Sequence, residues 1–238
     1  ILKKTIGLFG CMVNNNNLGC CALTYSLLNL IEQQSKKYNF ENEYIIFERN
    51  PDEDKVRKLA ETLDIDPNRV ISERSARFIR IYEKKQNDIC KSKILECDII
   101  IDLTQGDSFT DIYGFSRFIS YTLDKLMVEK LGVPLVLGPQ TYGPYKKGLT
   151  KVIAKNAIQK ANFIFSRDLL SKTYLANMGV NKDVYVGTDL AIGLPYVKKD
   201  KINKSVGINI SGLLWPDKVE GTKTIFSLKC DYREFMVK

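Results

Sequence analysis

The sequence predicts an α/β fold: a mostly parallel sheet flanked by helices, filling most of the chain, followed by the start of a second domain. Three observations carry this expectation. Short apolar or β-branched runs alternate with longer segments of helical period, which is the pattern of βαβ units. Each run is brief and reads as a buried strand, as parallel strands covered on both faces do. The segments just after the runs are polar and glycine-rich, and that is where open α/β sheets bind ligands.

Taken in order, the strand candidates are 4–10 (KTIGLFG), 43–47 (EYIIF), 69–72 (RVIS), 98–103 (DIIIDL), 134–140 (PLVLGPQ), 162–166 (NFIFS) and 183–188 (DVYVGT). Helices fill the gaps at 19–35, 52–63, 76–95, 116–131, 149–160 and 168–178. The segment PDED at 51–54 supplies the proline and the acidic first turn favoured at helix starts. The charged stretch KKDKINK (198–204) reads as a linker after a first domain of residues 1–197, and SVGINIS (205–211) as the first strand of a second domain spanning 205–238. Roughly 30 residues remain after it, too few for a core of their own, so the expectation is a piece of a larger protein. The absence of an initiator Met points the same way.

Composition narrows the function. With 238 residues, 44% apolar and 27% charged, the chain is globular in type. Histidine is absent, which removes Ser-His-Asp triads, Cys-His pairs and imidazole metal ligands from anything this chain does alone. The six cysteines form no CxxC pair, against a zinc site or a disulfide framework. No apolar stretch is long enough for a spanning helix and no signal peptide is visible. The simplest location is the cytoplasm, in solution or peripheral at the inner face of the cell membrane. The net charge of +8 is carried by dispersed lysines without interleaved aromatics, so nucleic acid is not expected as a partner; a mild positive field favours anionic substrates. A homo-oligomer is left open.

Candidate site residues follow the strands. After the first comes NNNNLG (14–19), leading into a helix. Asn17 and Gly19 there suit either an anion cradle at the helix N-terminus or a capped, solvent-exposed turn. No GxGxxG marks a nicotinamide site. After the fourth main strand comes DLTQGDSFTDIYG (102–114), where Gly106, Asp107 and Ser108 suit a sugar's hydroxyls or a helix cap. The carboxylates of Asp102 and Asp111 lie close by in sequence, and paired-carboxylate glycoside hydrolysis is a weaker alternative. GPQTYGPYKKG (138–148) presents Gln140 and Tyr142 from a turn made rigid by glycine and proline. Arg167 leaves a buried strand at the ligand edge, either to grip a phosphate or carboxylate or to pair with Asp168. Asp189 either caps the next segment or faces a cleft, and Asn209 and Ser211 end the strand that opens the second domain.

Six segments in sequence order, NNLGCCALTYSLL, CDIIIDLTQGDSFTDIYG, GVPLVLGPQTYGPY, FSRDLLS, GTDLAIGLP and VGINISGLLW, resemble the polysaccharide pyruvyl transferase family over about residues 4–215. The resemblance implies two Rossmann-like domains arranged as in GT-B glycosyltransferases, of which this chain holds the N-terminal half. It implies transfer of the enolpyruvyl unit of phosphoenolpyruvate to a sugar or a lipid-linked saccharide, forming a pyruvate ketal with release of phosphate and without a metal or organic cofactor; the alternatives are a GT-B nucleotide-sugar glycosyltransferase or a non-catalytic binding protein of the same fold. Carried over, the family's donor arginine falls on Arg167, and its glycine-rich loop on Gly106, Asp107 and Ser108. The donor set expected on this basis is Arg167, Asn17, Gly19 and Ser211, and the acceptor or cleft set is Gly106, Asp107, Ser108, Gln140, Tyr142, Asp189 and Asn209. The chain departs from the family where Thr104-Gln105-Gly106 replaces a run of glycines. The Arg and His that family members carry downstream are missing as well, so the catalytic residues are expected beyond this chain and the chain alone is expected to be inactive.

Overall fold

The structure is a computed structural model that describes residues 2–76, 83–198, 206–211, 214–215 and 230–237. The chain divides into two compact units, Ile1–Pro195 and Tyr196–Lys238. The first unit is a seven-stranded sheet with strands β1 (Leu2–Phe9), β2 (Phe40–Glu48), β3 (Val70–Arg74), β4 (Ile99–Asp102), β5 (Leu135–Gln140), β6 (Phe163–Ser166) and β7 (Val184–Val186). The strand order is β3-β2-β1-β4-β5-β6-β7 and every pairing is parallel. This is the doubly wound, Rossmann-like arrangement, and each expected strand run of the first domain lies in it. Between the strands run α1 (Leu18–Tyr38), α2 (Glu53–Thr62), α3 (Lys84–Leu95), α4 (Phe115–Lys130), α5 (Gly148–Lys160) and α6 (Leu169–Asn177).

Successive strand residues point to opposite faces, and the two faces carry separate cores. Ile6, Leu8, Tyr44 and Ile46 pack with Leu23, Leu27 and Leu28 of α1 and with Val56 and Ala60 of α2. Phe9, Ile45, Phe47, Ile100, Leu135 and Leu137 pack on the other face with residues of α3, α4 and α5. The helices start and stop on local signals. Asn17 caps α1, whose last turn holds Lys36 and Lys37 before Asn39 in the left-handed region at φ 60°. Asp52 caps α2, and Asp168 caps α6 through the Ser171 amide at 2.6 Å.

Two expectations need correction. The helix read at 76–95 is described only from Lys84, with Ser75 and Ala76 in extended loop, and residues 77–82 lie outside the described residues. The run SVGINIS, expected as a buried strand, forms no ladder over residues 206–211, and residues 206–210 are exposed. Its apolar side chains need sheet neighbours to become a strand, and none pairs with it among the described residues. Of the linker read at 198–204, residues 199–204 lie outside the described residues. In the second unit, α7 (Tyr232–Val237) brings Tyr232 edge-on to Trp215 at 6.5 Å, and its hydroxyl accepts the Ser211 amide at 3.0 Å.

Candidate functional site

Strand order reverses direction at β1, which has β2 on one side and β4 on the other, so the crevice beyond the carboxyl ends of β1 and β4 is the natural ligand position. The two chains cross there closely. Gly10 (φ +62°) lies so near the β4 loop that a Cβ on it would sit 2.2 Å from the Thr104 amide nitrogen. Beyond β4 the backbone is left-handed at three successive residues, Thr104, Gln105 and Gly106, at φ 43°, 56° and 85°. Those are the positions where the family resemblance expects glycine, so Thr104 and Gln105 adopt dihedral angles that glycine takes more easily.

Buried charge holds this loop in place. Thr104 donates to Asp102 Oδ1 from its amide at 2.7 Å and from its hydroxyl at 2.9 Å. Lys125 of α4, fully buried, donates to the Thr104 hydroxyl at 2.8 Å, pairs with Asp102 Oδ2 at 2.5 Å and lies 4.1 Å from the Phe109 ring centroid. The loop after β5 is tied on by the Thr141 amide, which donates to the Gly106 carbonyl at 2.7 Å.

Two arginines flank the loop. Arg167, at the end of β6, donates to Thr141 Oγ1 at 2.7 Å and to Asp189 Oδ2 at 2.8 Å. Gly106 leaves room for it, since a Cβ there would stand 3.2 Å from Arg167 Nη1. Its partner is therefore Asp189; Asp168 serves α6 instead. Arg117 of α4 was not among the sequence candidates. Its Nη2 donates to Gln105 Oε1 at 2.8 Å and to Ser108 Oγ at 2.7 Å, and the guanidinium lies 5.2 Å from the Tyr113 ring centroid. Its Nε is buried without a partner, and no carboxylate lies within ion-pair distance among the described residues. Asp107 accepts from the Tyr113 hydroxyl at 3.2 Å, and burial, followed by the Asp107 charge, pushes that hydroxyl up.

Beside Arg117 a cavity of about 510 Å3 opens between the start of α4 and the ends of β1, β2 and β3. Its lining includes Arg49, Gln105, Tyr113, Arg117, Tyr121 and Asp124. Burial, with the charge of Asp102 second, pushes Asp124 up to about 7 against the opposing pull of Lys125 and Arg49.

The remaining sequence candidates fall into structural positions. Asn17 Oδ1 accepts the Gly19 amide at 3.0 Å, and the Cys20 amide bonds the Asn17 carbonyl at 3.0 Å, so the loop closes its own helix end. The open anion cradle is thus corrected to a capped turn, which also answers to Glu48, whose Oε1 accepts the Val13 amide at 2.6 Å. Gln140 and Tyr142, expected at the cleft, are buried. A register shift between Leu137 and Gln140 turns the Gln140 amide inward, where it donates to the Asp102 carbonyl at 3.0 Å. The Tyr142 hydroxyl donates to the Phe165 carbonyl at 3.0 Å. Asp111 accepts from Lys146, Lys147 and Thr150 and so closes the start of α5; burial opposes this, but those bonds hold it below the ordinary carboxylate range. Asn209 is exposed, and it and Ser211 belong to the second unit.

The first unit is thus a Rossmann-like domain with guanidinium groups gathered beyond the carboxyl edge of its sheet, where domains of this class place their ligand sites. The sequence model of the polysaccharide pyruvyl transferase family matches residues 14–237, and the chain belongs to that family, a family of transferases acting on polysaccharide. A search of curated proteins gave no match. Among the described residues, no helix is long and apolar enough to cross a membrane.

Proposed function

We propose that this protein transfers the enolpyruvyl unit of phosphoenolpyruvate to a saccharide of a cell-surface polysaccharide or its precursor, forming a pyruvate ketal and releasing phosphate. Membership of the family supports the reaction class, and the observation that carries the donor assignment is the Arg167 guanidinium lying against side-chain-free Gly106 at the end of β6. Phosphoenolpyruvate presents a phosphate and a carboxylate close together, and a planar fork of N–H donors suits either group. Arg167 uses Nε and Nη1 on Thr141 and Asp189, which fixes its plane and leaves further N–H donors for the ligand. Ketal formation needs a proton delivered to the methylene carbon and a charge-stabilising environment for an oxocarbenium-like centre. In this reading Asp189 positions Arg167, the loop Gly106-Asp107-Ser108 faces the sugar, and the second unit belongs to a further Rossmann-like domain of a GT-B-like pair. The reaction is placed in the cytoplasm or at the inner face of the membrane.

Calorimetric titration with phosphoenolpyruvate and, separately, with a panel of nucleotide sugars tests this. Heat with phosphoenolpyruvate alone is the expected result. Heat with a nucleotide sugar alone makes the protein a glycosyltransferase, and no heat from either overturns enzymatic use of the site.

A further inference from the structure

We propose that the cavity between α4 and the ends of β1, β2 and β3 is a subsite for a saccharide acceptor that carries a phosphate or carboxylate, its charge held by Arg117 and Arg49. This inference rests on the pyruvyl transfer reading and names the class of acceptor.

Charge is the first argument. Arg117 and Arg49 both line the cavity, and neither has a carboxylate within ion-pair distance among the described residues. Arg167, Arg69 and Arg74 all do, with Asp189, Glu32 and Glu83. The Nε of Arg117 is buried with no acceptor among the described residues. The start of α4 adds to the field: Gly114 provides no side-chain cap, the first turn holds no acidic residue, and Gly114, Phe115 and Ser116 line the cavity. The one carboxylate in the lining among the described residues, Asp124, is pushed up by burial, which weakens its repulsion of an anion.

Size and lining are the second argument. About 510 Å3 falls within the ~300–1,000 Å3 span of small-molecule sites and leaves space for a sugar ring beside the anionic group. Ser75, Ser116 and Ser120 offer hydroxyls to hydroxyls, while the half-exposed rings of Tyr113 and Phe115 offer apolar faces to ring C–H groups. The cavity adjoins the loop at Gln105, so a sugar anchored in it reaches toward Gly106 and Arg167.

The test is titration of the protein with galactose 1-phosphate, galacturonate, neutral galactose, inorganic phosphate and phosphoenolpyruvate, repeated on Arg49→Gln and Arg117→Gln. The expected result is that one or both charged sugars bind at least about tenfold more tightly than galactose, and more tightly than inorganic phosphate, that each variant weakens them by about tenfold or more, and that phosphoenolpyruvate affinity holds in Arg49→Gln, whose side chain does not touch the loop. The stronger of the two charged sugars identifies the anionic group. Equal affinity for charged and neutral sugars, or unchanged affinity in Arg49→Gln, overturns the proposal. Arg49 is exposed and makes no hydrogen bond among the described residues, so that variant remains informative if Arg117→Gln folds poorly. Loss of phosphoenolpyruvate binding in step with the sugars in Arg49→Gln also overturns it, because the cavity would then hold the donor. Charged-sugar binding that depends on both arginines, in a protein that never binds phosphoenolpyruvate, sustains the subsite and removes the pyruvyl transfer reading instead.

Discussion

Each edge of the sheet holds an ion pair, fully buried at the carboxyl edge and partly buried at the amino edge, and the two pairs are built for different ends. At the amino edge, Arg69 donates to Glu32 at 2.7 Å and to the Asn42 carbonyl at 2.7 Å, the Tyr44 hydroxyl donates to the same Glu32 at 2.6 Å, and Asn42 donates to Ser35 at 2.5 Å. Each of these groups is engaged, and the network joins α1, β2 and the start of β3. At the carboxyl edge, Lys125 and Asp102 are more deeply buried, but they support a loop with left-handed Thr104 and Gln105, and above them Arg117 Nε lacks a partner among the described residues. A closed polar network rigidifies; unspent donors beside strained backbone mark where the molecule is finished by something else. On the proposed function, stability and ligand binding are therefore separable by edge.

The largest effects should come from breaking each pair. Glu32→Ala is expected to cost about 3–5 kcal/mol of stability in denaturant titration, because it strands Arg69 and Tyr44, with no change in phosphoenolpyruvate affinity once folded. Lys125→Met should cost a similar ~3 kcal/mol by leaving Asp102 charged and buried, and should also weaken the ligand through the displaced loop. Equal loss of ligand affinity in the two variants would erase the distinction between the edges.

Next comes Arg167→Ala, expected to weaken phosphoenolpyruvate by roughly 1.5–3 kcal/mol in calorimetry, the range for charged hydrogen bonds, while costing under ~1 kcal/mol of stability because its pair with Asp189 is partly exposed. Unchanged affinity removes Arg167 from the site.

A smaller effect depends on pH. Asp124 faces Asp102 across from β4, Lys125 on its own helix and Arg49 beyond β2, and its native-state value of about 7 lies above that of the unfolded chain. The native state thus keeps a proton that the unfolded chain gives up, so this group costs nothing below the unfolded value and lowers stability progressively as pH rises toward 7. Asp124→Asn should raise stability by roughly 1–2 kcal/mol at about pH 8 and by less at about pH 5, allowing for its partial exposure. A pH-independent difference would refute the assignment. Smallest is Asp64→Gly at the amino edge, where an exposed residue at φ 54° should gain about 0.5 kcal/mol on relief of the left-handed conformation.

The sequence told where strands run better than where their side chains point. Every strand of the sheet was legible from apolar runs, and the loop around Gly106 from its position after DIIID. Arg167 was legible because it leaves a buried strand at the ligand edge. Lys125 and Arg117 were not, since a helical lysine or arginine ordinarily snorkels to water, and only contacts with Asp102, Gln105 and Ser108 from elsewhere in the chain turn these two inward. Gln140 and Tyr142 were misread for a related reason: the register shift in β5 sets which way they face, and no local pattern reveals it. The asparagine cluster kept both of its readings until the Gly19 amide was found on Asn17.

Thr104 sets a constraint on anyone redesigning this loop. Glycine would relax its backbone, yet glycine has no hydroxyl, and Lys125 would lose one of its acceptors in a place that solvent does not reach. Chain comfort and charge satisfaction pull in opposite directions at that single position. It is therefore best altered jointly with Lys125, as a matched pair, and single-site libraries there should return few improved variants.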